Sequence, residues 1–180
     1  MALRTTRTLA LALLIALGAG CDAAQEPKPA PAAVRPEPEG PLSVSVRLAG
    51  ERWDLELVAD APRRHLGMGH RKRIPKGTGM LFSFLRAEPL AFVMRDCLVP
   101  IDIAYLDSQG RVVAIHTMAV EPTRRRGESL IDYEERLPGY TSDAPAQFAI
   151  EVAGGSFAAL GLAVGDVVEF DRAAVLKRTR

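Results

Sequence analysis

Three sets of residues in this 180-residue chain could do chemistry. The first lies in "FVMRDCLVPIDIAYLDSQG", residues 92–110, where an otherwise apolar run carries Arg95, Asp96 and Cys97 at a corner and Asp102 inside Ile-Asp-Ile. On a strand Asp102 shares a face with Ala104 and Leu106, while Ile101, Ile103 and Tyr105 take the other. Both faces read as apolar, which places Asp102 on a central, buried strand. A buried carboxylate has to be paired or hydrogen-bonded. One reading makes Asp102 a structural brace, bonded to backbone amides or to Arg95 or Arg64. The other makes it a site carboxylate or general base, for which His116 is the histidine on a plausibly adjacent strand. The combined expectation is one polar corner built from Arg95, Asp96 and Asp102, with Arg64 reaching it from a preceding turn.

The second set is soft. Met68, Met80, Met94 and Met118 are the methionines outside residue 1, His65, His70 and His116 are all the histidines, and Cys97 completes a group confined to residues 65–118. Thioether, imidazole and thiolate together suit copper(I). The candidate ligands are Met68, Met94, Cys97, His116 and Met118. Their spacing has no paired His or Cys motif, and methionines on buried strands ordinarily fill cores. No cofactor is the first expectation, with copper as the alternative. A Cys97–His116 nucleophile pair belongs to the same set.

The third set is basic: Arg63, Arg64, Arg71, Lys72, Arg73 and Lys76. Guanidinium groups beside exposed amides can hold a carboxylate or phosphate, and such a patch can also lean on anionic lipid. The bland alternative is a solvated loop. Over the whole chain 23 basic residues face 22 acidic ones, which argues against nucleic acid as a partner. Gly-x-Ser-x-Gly, phosphate-loop, His-Glu-x-x-His and dinucleotide signatures are absent from the sequence.

Elements that would position these residues follow from pattern. Residues 1–21, "MALRTTRTLALALLIALGAGC", have the basic start, short apolar run and small residues of an export signal. They resemble a bacterial lipoprotein signal, with Cys21 as the lipidated residue and Gly18 where leucine is usual. An ordinary cleaved signal is the alternative. The expected location is a periplasm-facing, membrane-anchored lipoprotein, or a soluble exported protein if Cys21 carries no lipid. Residues 22–41 hold six of the thirteen prolines and read as an extended tether, reaching roughly 60 Å in polyproline geometry.

A β-domain is expected over 42–172, with 173–180 as a frayed basic tail. Alternating runs at 42–48 and 52–58 read as a hairpin turned at Gly50 and Glu51. "DAPRRHLG" reads as a short helix capped by Asp60 with Pro62 in its first turn. "MLFSF", "LAFVM", "AQFAIEV" and "VGDVVEF" read as further strands. "LVPIDIAYLD" and "RVVAIHTMAV" form a second hairpin around "DSQG". "GGSFAALGL" gives one or two helical turns, and residues 121–146 a functional loop or lid. The resulting class is mainly β: a compact antiparallel β-sandwich or barrel with one or two short helices.

The segments "RRHLGMGHR", "GTGMLFSF", "FVMRDCLVPIDIAYLDSQGRVVAIHTM", "YTSDAPAQFAIEVAGG" and "GLAVGDVV" resemble, in order and spacing, the bacterial and archaeal domain of unknown function 192, over roughly residues 44–170. The resemblance implies a compact, mostly antiparallel β-structure, commonly exported, and no established activity. The family's typical Trp-Met-Lys-Asn-Thr corner is here Val93, Met94, Arg95, Asp96, Cys97. Its Arg-x-x-Gly-Leu-Met block keeps Arg64 and Gly67, with Met68 and Gly69 in the last two places. Its Tyr-x-Ser element matches Tyr140 and Ser142. The candidate ligand-binding set is therefore Arg64, Arg95, Asp96, Asp102, His116, Tyr140 and Ser142. The functional expectation is a non-catalytic module binding a small ligand or an envelope component. An envelope enzyme of hydrolytic type, using Asp102, His116 and the Arg95–Asp96 corner, is the first alternative, and a copper(I) protein the second.

Overall fold

The computed structural model describes residues 42–180; the signal, Cys21 and the tether lie outside the described residues. The domain is mainly β. Eight strands run Ser43–Leu48 (β1), Glu51–Val58 (β2), Thr78–Glu88 (β3), Ala91–Phe92 (β4), Ile101–Leu106 (β5), Val112–Met118 (β6), Tyr140–Thr141 (β7) and Ala146–Ala153 (β8). Four short helices span Ala61–Leu66 (α1), Leu130–Glu135 (α2), Ser156–Leu160 (α3) and Arg172–Leu176 (α4). Six strands make one sheet in the order β1-β2-β3-β8-β5-β6, and β4 pairs with β7 in a second, two-stranded sheet. The main sheet does not close into a barrel. It is antiparallel except for the β2–β3 pair, which is parallel.

Local chemistry sets the turns. Ala49 and Gly50 both take positive φ, 46° and 85°, the geometry a two-residue hairpin needs to follow strand twist. The Asp107 carboxylate accepts from the Gln109 and Arg111 backbone N–H groups and its carbonyl from Gly110 N–H, closing the second hairpin. Asp60 caps α1 by accepting from Arg63 N–H at 3.0 Å, and Gly67 stops it.

The parallel β2–β3 pair demands a crossover, because antiparallel hairpin geometry is unavailable to it. Residues 59–77, including α1, make that crossing over one face of the sheet. Under them and the 88–100 segment lies a core of Met80, Phe82, Ile103, Tyr105, Met94 and Cys97 with their neighbours. The opposite face buries Leu55, Leu81, Ala104, Phe148 and Ile150 beneath Phe157 of α3 and Val175 of α4. Strands β5 and β8 are thus covered on both sides.

Three expectations change. "VGDVVEF" does not form a strand; it makes only single bridges, Arg111 with Val167 and Arg47 with Glu169, because Gly165 takes positive φ and the chain turns at once into α4. The tail at 173–180 is not frayed: Val175 is buried, the Ser83 and Thr179 hydroxyls bond at 2.7 Å, and Arg180 N–H donates to Ala59 O at 2.8 Å. Residues 121–146 are not a featureless loop but contain α2 and β7.

Asp102 is 1% exposed and is the sheet's brace. Thr117 donates its hydroxyl to Oδ1 at 2.8 Å, and the Phe157 backbone N–H donates to Oδ2 at 2.9 Å. Gly155, at the N-cap of α3, has no side chain to satisfy that amide. Asp102 supplies the capping oxygen from the sheet instead, the role Ser, Asp or Asn normally plays locally. We expect Asp102→Ala to cost about 2–3 kcal/mol in urea unfolding by orphaning a buried amide. Asp102→Asn should cost about 1 kcal/mol, since its amide can still meet both partners.

Candidate functional site

The crossover brings α1 and Gly67 against the 91–97 segment, and between them lies a cleft of about 370 Å³. Its walls are aromatic and apolar: Phe82 and Phe84 from β3, Phe92 from β4, and Met68 after α1. Pairing of β4 with β7 through Phe92 and Tyr140 holds the Phe92 ring 5.0 Å from Phe82 and edge-on to it, a favoured aromatic arrangement. Arg64, His65 and Arg95 stand at its edge, and Cys97 and Glu151 complete the lining.

Glu151 is the residue the sequence reading missed. It lies on β8 opposite Met80 of β3 and Ile103 of β5, is only 4% exposed, and its Oε2 has no hydrogen-bond partner. A Cβ placed on Gly67 would sit 3.9 Å from that oxygen and 3.8 Å from the Phe82 ring. A side chain at residue 67 would therefore occupy the space in front of the acid, and the positive φ of 50° there independently favours glycine. Burial pushes the Glu151 carboxyl up to about 8, opposed only by the Arg71 charge. Glu151 is thus a largely neutral acid at neutral pH, facing a cleft. A charge inside a run buried on both faces marks Glu151 in "QFAIEVA" just as it marks Asp102.

The expected polar corner is not assembled. Arg95 donates to Glu134 of α2 at 2.5 Å and to the His65 carbonyl. Arg64 donates to the carbonyls of Ser83 and Arg180, each at 2.9 Å, and lies over the Phe84 ring. Arg64 and Arg95 do share the cleft. Asp96 lines a smaller recess of about 190 Å³ beside it, with Arg95. Its φ is 54°, and Tyr133 fixes it by accepting from its N–H at 3.0 Å and donating to Oδ1 at 3.2 Å. Neither of the partners of Asp102 is a cation.

Asp102 and His116 do not form a catalytic pair. Asp102 lies opposite Thr117, and His116 opposite Ile103. Residues opposite one another share a face, so the two point to opposite sides of the sheet. His116 donates from Nε2 to the Thr141 carbonyl at 2.7 Å and packs between the Tyr105 and Tyr140 rings. Tyr140 and Ser142 are likewise outside the cleft. The Tyr140 carbonyl accepts from the Tyr105 hydroxyl at 2.7 Å. Ser142 Oγ accepts from Leu90 N–H at 3.0 Å and donates to the Ala144 carbonyl at 2.6 Å. Both hold the β4–β7 ribbon in place.

Met68, Met94, Cys97 and Met118 all belong to the buried cluster under the crossover, where packing occupies them. Among the described residues no three His, Cys, Asp or Glu side chains gather as a metal site. Cys97 donates to the Arg95 carbonyl at 3.5 Å. Burial first, then the Glu151 and Asp96 carboxylates, push its thiol up to about 12, so it stays protonated and a poor nucleophile. The Cys97–His116 pair is not formed, since His116 is bound elsewhere. In the basic set, Arg63 pairs with Asp60 and Arg71 with Glu56. No helix among the described residues is long and apolar enough to cross a membrane.

The family described as "Uncharacterized ACR", the domain of unknown function 192, matches residues 44–170. The chain belongs to that family. Among solved structures, it is similar to a Sinorhizobium meliloti protein described as a candidate transcription regulator, with 24% identity and a TM-score of 0.61 over 72% of this chain and 95% of that one. It is also similar to a protein of unknown function from Novosphingobium aromaticivorans, with 23% identity and a TM-score of 0.58 over 72% and 84%. At these identities the likeness speaks to the fold alone. No curated protein matches the chain.

The state of Glu151 makes stability depend on pH. Unfolded, the carboxyl ionises near its ordinary 4.5; folded, near 8. Between those values the unfolded chain releases a proton that the folded chain keeps, so rising pH favours unfolding. Each pH unit across that window is worth about 1.4 kcal/mol at most. Chemical denaturation from about pH 5 to 8.5 should show wild type losing stability relative to Glu151→Gln, with the variant the more stable above about 8. Parallel curves for the two would show that Glu151 is not buried as an acid.

Proposed function

We propose that this protein is an envelope-facing β-domain that binds a small, largely apolar ligand in the cleft between α1 and the 91–97 segment, without performing a reaction on it. The observation that carries this reading is the unpartnered Oε2 of Glu151 facing an aromatic-walled space. Buried polar atoms are ordinarily satisfied, and each exception calls for an explanation such as a missing partner. An apolar pocket with few convergent polar groups is the usual form of a small-molecule site. The cleft volume of about 370 Å³ lies toward the lower end of such sites.

Binding without turnover suits the inventory of the cleft. Its thiol is held protonated, its two arginines are engaged by other groups, and Asp102 and His116 are elsewhere. A second reading rests on Glu151 alone. A carboxyl near 8 could exchange protons with a bound substrate at neutral pH, which would make the cleft the centre of an envelope enzyme.

Membrane tethering is part of the proposal and is supported by sequence. The apolar run ending at Cys21 and the proline-rich stretch after it would hold the domain near the surface through lipid on that cysteine. Replacing Cys21 with serine should move the protein from the membrane fraction to the soluble one, and a wild type already soluble after export would exclude the lipid.

For the cleft, fragments that raise the melting temperature of the full chain should shift the amide resonances of Gly67, Phe84 and Phe92. Phe84→Ala removes one wall and should weaken such fragments about tenfold, the scale of about 1–1.5 kcal/mol for an aromatic contact. Fragments that bind only elsewhere on the domain would refute the reading. Release of altered product from a bound fragment, abolished by Glu151→Gln, would favour the enzyme.

A further inference from the structure

Taking the cleft as a ligand site, we infer that its ligand carries a protonated amine, or a comparable N–H cation, that pairs with Glu151 while its apolar body lies against Phe82, Phe84 and Phe92. The inference comes from how charges around the cleft are spent. Arg71 pairs with Glu56 at 2.6 Å. Arg95 pairs with Glu134 at 2.5 Å and also donates to the His65 carbonyl. Arg64 donates to two carbonyls. The Tyr105 hydroxyl donates to Tyr140 O, the Cys97 thiol to Arg95 O, and Asp96 is held by Tyr133. His65, on α1, is the remaining titratable group in the lining. Every guanidinium near the cleft therefore has a partner, and the acid at its inner wall has none.

An anionic ligand would have to share guanidinium groups that already hold protein oxygens. A cationic ligand finds an unpartnered carboxyl that becomes its counter-charge on losing one proton. The walls suit a cation as well. The Arg64 guanidinium already rests 5.1 Å from the centre of the Phe84 ring, so one aromatic face of the cleft demonstrably accepts positive charge, as ring quadrupoles do. A Cβ at Gly67 would stand 3.9 Å from the buried Oε2, so the glycine keeps that approach to the acid clear of a side chain. At a carboxyl this buried, solvent screens the pairing little, which offsets the water the ammonium must shed.

Binding would then be linked to one proton. The free carboxyl holds its proton below about 8, and an ammonium ion binds the ionised form. Affinity should rise about tenfold per pH unit below that point and level off above it, as long as the amine stays protonated.

Three probes of similar shape test this on the full-length chain: 2-phenylethylammonium, 2-phenylethanol and phenylacetate, followed by amide shifts and calorimetry. The ammonium probe should bind tightest and tighten with pH. Glu151→Gln should weaken it by at least about tenfold and flatten its pH profile, one charge-assisted bond being worth about 1.5–3 kcal/mol. The same variant should change 2-phenylethanol by less than about twofold, since a neutral hydroxyl can bond a carboxyl and a carboxamide alike. If the variant folds poorly, the wild-type pH profile decides by itself. Tightest binding of phenylacetate, or ammonium binding that ignores pH and Glu151→Gln, overturns the cation inference and leaves the cleft as a binding site. Failure of all three probes to move cleft resonances overturns both.

Discussion

Coverage of the two central strands on both faces is the constraint from which the rest of the domain follows. A strand exposed on one side can point its polar residues into water. β5 and β8 cannot, because the crossover and the 88–100 segment close one face and α3 with α4 close the other. Any carboxylate on them must find a partner or stay protonated. Each strand carries one, and the two meet the constraint differently. Asp102 is met by a hydroxyl and by an amide that α3 lacks the side chain to satisfy for itself. It thereby locks a helix to the sheet. Glu151 is met by nothing at Oε2, and its proton removes the charge while leaving that oxygen unpartnered.

The parallel pairing of β2 with β3 creates the place where that matters. Had the two strands formed a hairpin, residues 59–77 would not cross the sheet, and the second face would lack its cover. The crossover lays Arg64, Gly67 and Met68 over β3 and β8, and the β4–β7 ribbon lays Phe92 beside them. Backbone conformation accounts for one departure from the family corner as well. Residue 96 sits at positive φ, where Asn and Asp are among the residues that tolerate the left-handed region best. Aspartate can therefore replace the usual asparagine without strain, and Tyr133 gives its carboxylate a partner.

Much of this is written locally. The turn at Asp107–Gly110, the Asp60 cap with its proline, the stop at Gly161 and the two hairpins depend on residues within a few positions of one another. Sequence determines such features because the partners come with the segment. The double burial of β5 was legible for a related reason: Ile101 to Leu106 offers apolar side chains at both parities. The same pattern in β8 carried the same message about Glu151.

What only the tertiary structure decided is which partner each polar group meets. Arg95 and Asp102 are seven positions apart, yet Arg95 turns to α2 and Asp102 to α3, on the other face. Asp102 and His116 sit on paired strands but one register step out of line, and a period of two sends them to opposite sides. The final segment has the apolar alternation of a strand, but Val168 is buried between single bridges and the chain then turns into α4. By itself the sequence determined the two hairpins, their turns and the need for buried carboxylates to be answered. Whether an answer exists for each depends on contacts as distant as that of Asp102 with Phe157, 55 positions on, and those are set by strand order and crossover, which local patterning does not encode.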